Sequence, residues 1–222
     1  MDSLRMNVCV AVRYGARAAG HKAATVLIAL GLAGAAAADP VRIVALGDSL
    51  VHGYGLLPED GFVPQLERWL AAEGVEATVA NAGVSGDTTA GGRARLAWSV
   101  GEGADALVVV LGGNDLLRGI DPAVSRENLS ALVAEARAMG MPVLLGGMRA
   151  PGNYGADYKT AFDAIYPEIA EAQGALLYPE FLAGVTDDPR LWQADGLHPN
   201  ADGVGVIVEG MGPLVLELIA SE

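Results

Sequence analysis

Apolar positions recur with two different periods along the chain, and the switches between them mark alternating strands and helices. Val41–Leu46 is a short β-branched run that stops at Gly47, the pattern of a buried strand. Phe62, Val63, Leu66, Trp69 and Leu70 then fall at helical spacing, predicting a helix over Phe62–Ala72 with Gly74 as its stop. Glu76–Ala80 reads as a second strand, and Thr88–Val100 as a helix loosened by Gly91 and Gly92. Ala106–Leu111 is apolar throughout, as a strand covered on both faces must be. Asp121-Pro122 opens the next helix, with proline in the tolerated first turn. Its inward face is Leu129, Leu132, Val133 and Ala136, and it ends near Gly140. Pro142–Leu145 and Ala175–Tyr178 are the fourth and fifth strands. Between them Tyr158–Ala172 forms an amphipathic helix that Pro167 should kink, and Pro199–Ala220 closes the chain as a helix. Five strands joined by helices imply an α/β domain with an open parallel sheet covered on both faces.

The first forty residues break this pattern. Arg5, Arg13, Arg17, His21 and Lys22 lead into an uncharged run, Ala23–Ala38, which ends in small residues before Asp39-Pro40. A positive lead, an apolar middle and a small-residue exit describe a cleaved secretory signal peptide over 1–38, leaving a single domain over 39–222 in an exported, periplasmic or secreted protein. The run of 16 residues is short of the roughly 20 that span a bilayer, which argues against an uncleaved anchor. Met6 is an alternative start, and no Arg-Arg pair marks the twin-Arg route.

Composition sharpens this picture. The 222-residue chain carries a formal charge of −13, unsuited to neutralising phosphates, so a nucleic-acid partner is not expected. Cleavage after Ala38 removes four basic residues and one acid, leaving 184 residues and a charge of −16. The single cysteine, Cys9, leaves with the lead, so no disulfide and no Cys-only zinc site are expected. His52 and His198 are the histidines that remain.

In open α/β sheets, ligands bind beyond the carboxyl ends of the strands. Four segments there are unusual: Gly47-Asp48-Ser49-Leu50, Asn81 to Thr88 with its glycines, Gly112-Gly113-Asn114-Asp115, and Asp195-Gly196-Leu197-His198 before the last helix. Ser49 sits where a strand turns into a helix, exposed and with its N–H aimed forward; a plain N-cap is the competing role. His198 follows Asp195 by three residues, a spacing that lets the carboxylate accept from Nδ1 while Nε2 faces a serine nucleophile. His52 reads as a loop or pocket-wall residue. The N–H of Ser49, the N–H of Gly86 and the amide of Asn114 are candidate donors for an oxyanion. Each residue has an ordinary turn role taken alone, but turns do not explain their arrival at successive strand ends.

These four blocks, in this order, resemble those of the SGNH, or GDSL-type, hydrolase superfamily, over about Arg42 to the last helix. Ser85–Thr88, Leu111–Asp115, Asn153–Gly155, Ala164–Pro167 and Asp195–Asn200 are more narrowly similar to the bacterial thioesterase I / protease I / lysophospholipase L1 group, which includes arylesterases. The resemblance implies a three-layer flavodoxin-like sandwich with strand order 2-1-3-4-5. It implies Ser49 as nucleophile, Asp195 and His198 as its dyad, and Ser49, Gly86 and Asn114 as the oxyanion hole. Leu50, Asp115, Leu116, Ala150, Asn153 and Tyr154 are the pocket candidates. Ala150 departs from the group, which often has a larger apolar residue there.

The expected reaction is hydrolysis of small acyl esters or thioesters through an acyl-enzyme, without metal or organic cofactor and without stable membrane insertion after cleavage. Oligomeric state has no signature. A carbohydrate O-deacetylase would use the same residues. A non-catalytic binding protein on this fold would have no need of the full Ser, Gly, Asn, Asp and His set. Gly101–Ala106 matches G-x-G-x-x-A, but it precedes a strand, so it cannot cradle a phosphate at a strand's carboxyl end.

Overall fold

The computed structural model describes residues 40–220. The segment 1–38, read above as an export signal, lies outside the described residues, as does Cys9. One parallel sheet carries five strands: β1 (Val41–Gly47), β2 (Ala77–Gly83), β3 (Ala106–Val110), β4 (Val143–Gly146) and β5 (Leu176–Tyr178), in the order β2-β1-β3-β4-β5. All pairings are parallel, and β1 lies between β2 and β3 with Gly47 opposite Gly83 and Val110.

Helices cover both faces. On one side α2 (Phe62–Ala72) packs on α9 (Ala201–Ile219). On the other, α3 (Thr89–Ala94), α6 (Pro122–Ala138) and α8 (Ile165–Gln173) pack side by side. The apolar faces expected for these helices are the buried ones: Phe62, Leu66 and Leu70 on α2, and Leu129, Leu132, Val133 and Ala136 on α6. Every residue of β3 is buried, which explains its unbroken apolar sequence.

Two expected helices are each divided. Thr88–Val100 becomes α3 and α4 (Leu96–Val100), parted at Arg95 and not at the glycines. Gly91 and Gly92 are close-approach positions: a Cβ on Gly91 would lie 1.8 Å from Asp87 Oδ1, and one on Gly92 2.2 Å from Leu111 Cδ1. Tyr158–Ala172 becomes α7 (Ala156–Asp163) and α8, parted at Ala164. Proline explains the break. Pro167 has no N–H for the Asp163 carbonyl, and its ring presses on that group, so the first helix stops at Asp163.

Candidate active site

The site begins with a tight turn. Directly beyond β1, Asp48 caps the four-residue helix α1 (Ser49–His52), its side chain accepting from the Leu50 N–H. Ser49 is therefore the first helical residue and not the cap, and its own N–H has no intrahelical acceptor. The helix folds back on the strand ends so closely that side chains are excluded there. A Cβ on Gly47 would lie 2.3 Å from Val51 Cγ2, and one on Gly83 2.2 Å from the His52 nitrogen.

His198 arrives from the other end of the chain. Asp195 organises its loop, Oδ1 accepting from the N–H groups of Leu197 (2.9 Å) and His198 (3.0 Å). The second oxygen, Oδ2, lies 2.7 Å from His198 Nδ1. On its far side His198 Nε2 lies 2.9 Å from Ser49 Oγ. Hydrogen bonds from the imidazole and two backbone N–H groups hold the Asp195 carboxyl down to about 2, so it is an anion at any working pH. Gln193 fixes this loop against the serine side: its Nε2 donates to the carbonyls of Tyr54 (2.8 Å) and Pro199 (3.0 Å). The Tyr54 ring lies 4.8 Å from the imidazole, centroid to centroid.

Asn114 enters from α5 (Gly113–Leu117), at the end of β3, and its Nδ2 donates to Asp48 Oδ2 at 3.1 Å. Ser49, Asn114 and His198 share one cavity of about 420 Å³. Its walls are mainly apolar and include Leu50, Leu116, Met148, Ala150, Leu182 and Trp192. Toward β5 the wall carries an ion pair, Arg149 Nε to Glu180 Oε2, at 3.2 Å.

Of the pocket candidates, Leu50, Leu116, Ala150 and Tyr154 line this cavity, but Asp115 and Asn153 do not. Asp115 is only 1% exposed and accepts from Thr89 N–H, Thr89 Oγ1 and Ser125 Oγ. It ties α5 to α3 and α6, because helical geometry turns it away from its neighbour Asn114. Asn153 lies on a surface turn, solvent-exposed. His52 is likewise exposed at the end of α1 and lines no part of the cavity.

Gly86 is in the glycine loop with φ of +83°, and it is not on the cavity wall. Arg118 donates to its carbonyl at 2.6 Å. Deeper in, Arg95 donates to the carbonyls of Gly47 (2.9 Å) and Ala82 (2.8 Å) and pairs with Asp87 (2.7 Å). One guanidinium thus binds the ends of β1 and β2 to the glycine loop. Neither Arg95 nor Gln193 stands in a motif, and periodicity offered no signal for them. Asp48 did carry one, as an acidic residue between strand and helix.

Asp48 is 2% exposed, and burial pushes its carboxyl up to about 6, against the Leu50 and Asn114 hydrogen bonds. The sign gives a stability test. Between its ordinary 3.8 and about 6, the native chain keeps a proton that the unfolded chain has released. That contribution is complete below the lower value and lost as pH rises through the higher one, by about 3 kcal/mol. Asp188 and Asp195, both lowered to about 2, act in the opposite sense but only in more acid solution. Urea denaturation at stepped pH should show this decline in the wild type and a flatter profile in Asp48→Asn. Equal slopes would exclude it.

Comparison with known proteins places the chain in a family. The model of the GDSL-like Lipase/Acylhydrolase family matches residues 45–206. Esterase TesA of Pseudomonas aeruginosa is 42% identical over 178 residues, covering 80% of this chain and 89% of that protein. Thioesterase 1/protease 1/lysophospholipase L1 of Escherichia coli is 37% identical over 187 residues, covering 83% and 87%. Among solved structures, TesA superposes with a TM-score of 0.76 at 40% identity, covering 80% of this chain and 99% of that one. AlinE4, an SGNH-hydrolase family esterase, gives 0.70 at 44% identity, covering 81% and 97%. The fold, the strand order and these matches agree, and the chain belongs to the GDSL-like lipase/acylhydrolase family.

Proposed function

We propose that this ester-hydrolysing enzyme is a serine esterase/thioesterase that works through an acyl-enzyme on Ser49. The carrying observation is the unbroken chain Asp195 Oδ2, His198 Nδ1, His198 Nε2, Ser49 Oγ, with spacings of 2.7 and 2.9 Å, opening on a cavity with apolar walls. In that chain His198 accepts the Ser49 proton as Oγ attacks the acyl carbonyl. The Ser49 N–H and the Asn114 amide hold the oxygen that becomes negative, with the Gly86 N–H as a third donor, since a glycine has no side chain of its own to block the approach to its N–H. The imidazolium then protonates the departing alcohol or thiol. Water, activated by the same ring, releases the acid. Relatives named arylesterase, from Vibrio mimicus, and thioesterase 1/protease 1/lysophospholipase L1 support both ester and thioester substrates.

A panel of p-nitrophenyl esters, acyl-CoA thioesters and lysophospholipid tests this reading, with Ser49→Ala as the control. Hydrolysis that depends on Ser49 is expected; activity surviving in Ser49→Ala would overturn the assignment. The substrate walls make a second prediction. The Ala150 backbone is clamped, its N–H donating to Asp163 Oδ1 (2.8 Å) and its carbonyl accepting from Lys159 (2.7 Å). The residue is 2% exposed and lines the cavity. Ala150→Leu therefore adds volume that the loop cannot easily carry away, and the acyl-length profile should move toward shorter chains. An unchanged profile would remove Ala150 as a determinant.

Export completes the proposal. The basic lead, apolar run and Ala36-Ala37-Ala38 exit support a cleaved signal over 1–38 and an exported single domain over 39–222. Among the described residues, no helix is long and apolar enough to cross a membrane. N-terminal sequencing of the protein secreted or released from the periplasm tests the cleavage site.

A further inference from the structure

We propose that Asp48 is a positioning residue for the oxyanion hole, its carboxylate fixing the Asn114 amide so that one N–H is anchored and the other is presented to the cavity. The inference rests on the catalytic reading above. Both carboxylate oxygens are engaged, Oδ1 by the Leu50 N–H at 3.0 Å and Oδ2 by Asn114 Nδ2 at 3.1 Å. An ionised carboxylate only accepts, so it selects the nitrogen end of an amide whose two ends are nearly isosteric. Gly113 leaves the approach open, since even a Cβ there would come within 3.3 Å of Asp48 Oδ2.

Capping alone does not explain an aspartate here. Asparagine caps a helix about as well as aspartate and does not bury a charge. Burial already works against this charge, pushing the carboxyl up to about 6. Beside its electrostatic interaction with His198, the charge that remains does what a neutral cap cannot, which is to keep the Asn114 amide from turning over. Asparagine at position 48 would keep Oδ1 on the Leu50 N–H but place an NH₂ group where Oδ2 stood. Asn114 would then answer with its own oxygen, and the hole would lose its donor. Protonation of Asp48 has the same consequence. The titratable groups facing it are His198, across the cavity, Asp87, in the glycine loop, and the buried phenol of Tyr166.

Asp48→Asn should lower kcat by about 100-fold with KM unchanged, on the scale of a lost oxyanion donor. Asn114→Ala should lose a similar factor, and adding Asp48→Asn to Asn114→Ala should cost nothing more. Wild-type kcat in Asp48→Asn would overturn the proposal, as would an equal loss in both backgrounds. A thermal melt establishes that the variants fold. If Asp48→Asn does not, the acid limb of kcat decides. It should fall with two protons in the wild type and one in Asn114→Ala, and identical limbs would overturn the proposal. The two readings fail separately: Asn114→Ala at full rate removes the hole itself, whereas a slow Asn114→Ala beside an unaffected Asp48→Asn removes only the role of Asp48.

Discussion

Replacing Ser49 with alanine is expected to lower turnover of an activated ester by about a million-fold, the scale of removing a nucleophile from a serine hydrolase. In the proposed mechanism its oxygen is the atom that becomes acylated, and no other described hydroxyl lies within hydrogen-bond reach of His198 Nε2. The substitution removes one oxygen from a half-buried helix start and leaves the Asp48 cap, the Asp195–His198 pair and the apolar walls in place. Binding of a non-hydrolysed substrate analogue should therefore persist. Full-time burst kinetics with p-nitrophenyl acetate check both parts: the wild type should show acyl-enzyme formation, and the variant neither burst nor steady-state release. Retained steady-state release would show that another group attacks the ester.

Asp195→Asn is expected to cost about 10⁴-fold in kcat while leaving the loop intact. The reason lies in how the two oxygens are used. Oδ1 accepts from two backbone N–H groups, so the variant keeps its oxygen there and turns its NH₂ toward His198 Nδ1. The ring must then accept at Nδ1 and carry its proton on Nε2, the nitrogen that faces Ser49. It can no longer take the serine proton. Because the wild-type carboxyl is held down to about 2, Asp195 is ionised across the whole assay range, and its own protonation adds no step to the pH profile there. Steady-state rates in both proteins across that range test this. Turnover within tenfold of wild type would show that Asp195 only supports the loop.

Much of this site was legible because its signals are local. Asp195 and His198 are three residues apart, and their partnership follows from reach within one turn. Phe62–Ala72 formed the helix its spacing predicts, to the residue, because one apolar stripe and a glycine stop act over a few residues. Strand β3 was equally plain. One boundary failed where distant groups intervened, although the break before Pro167 was local. Arg95 ends α3 because its guanidinium reaches the carbonyls of Gly47 and Ala82, and no local spacing encodes that. Asp115 was misplaced for a related reason: its motif adjacency to Asn114 suggested the pocket, but successive helical residues point apart. Asp115 instead joins Thr89 and Ser125 in the interior.

The sequence by itself determined the strand–helix alternation, the four loops at strand ends and the chemistry their side chains can perform, since periodicity and residue type act at short range. The tertiary structure decided which of those groups meet. Ser49 and His198 are 149 positions apart, and Asp48 and Asn114 are 66 apart. Only the parallel order of the sheet, with β1 beside β3, brings their loops to one edge. It also decided the orientation of the Asn114 amide, which depends on a buried carboxylate whose charge has meaning only once water is excluded around it.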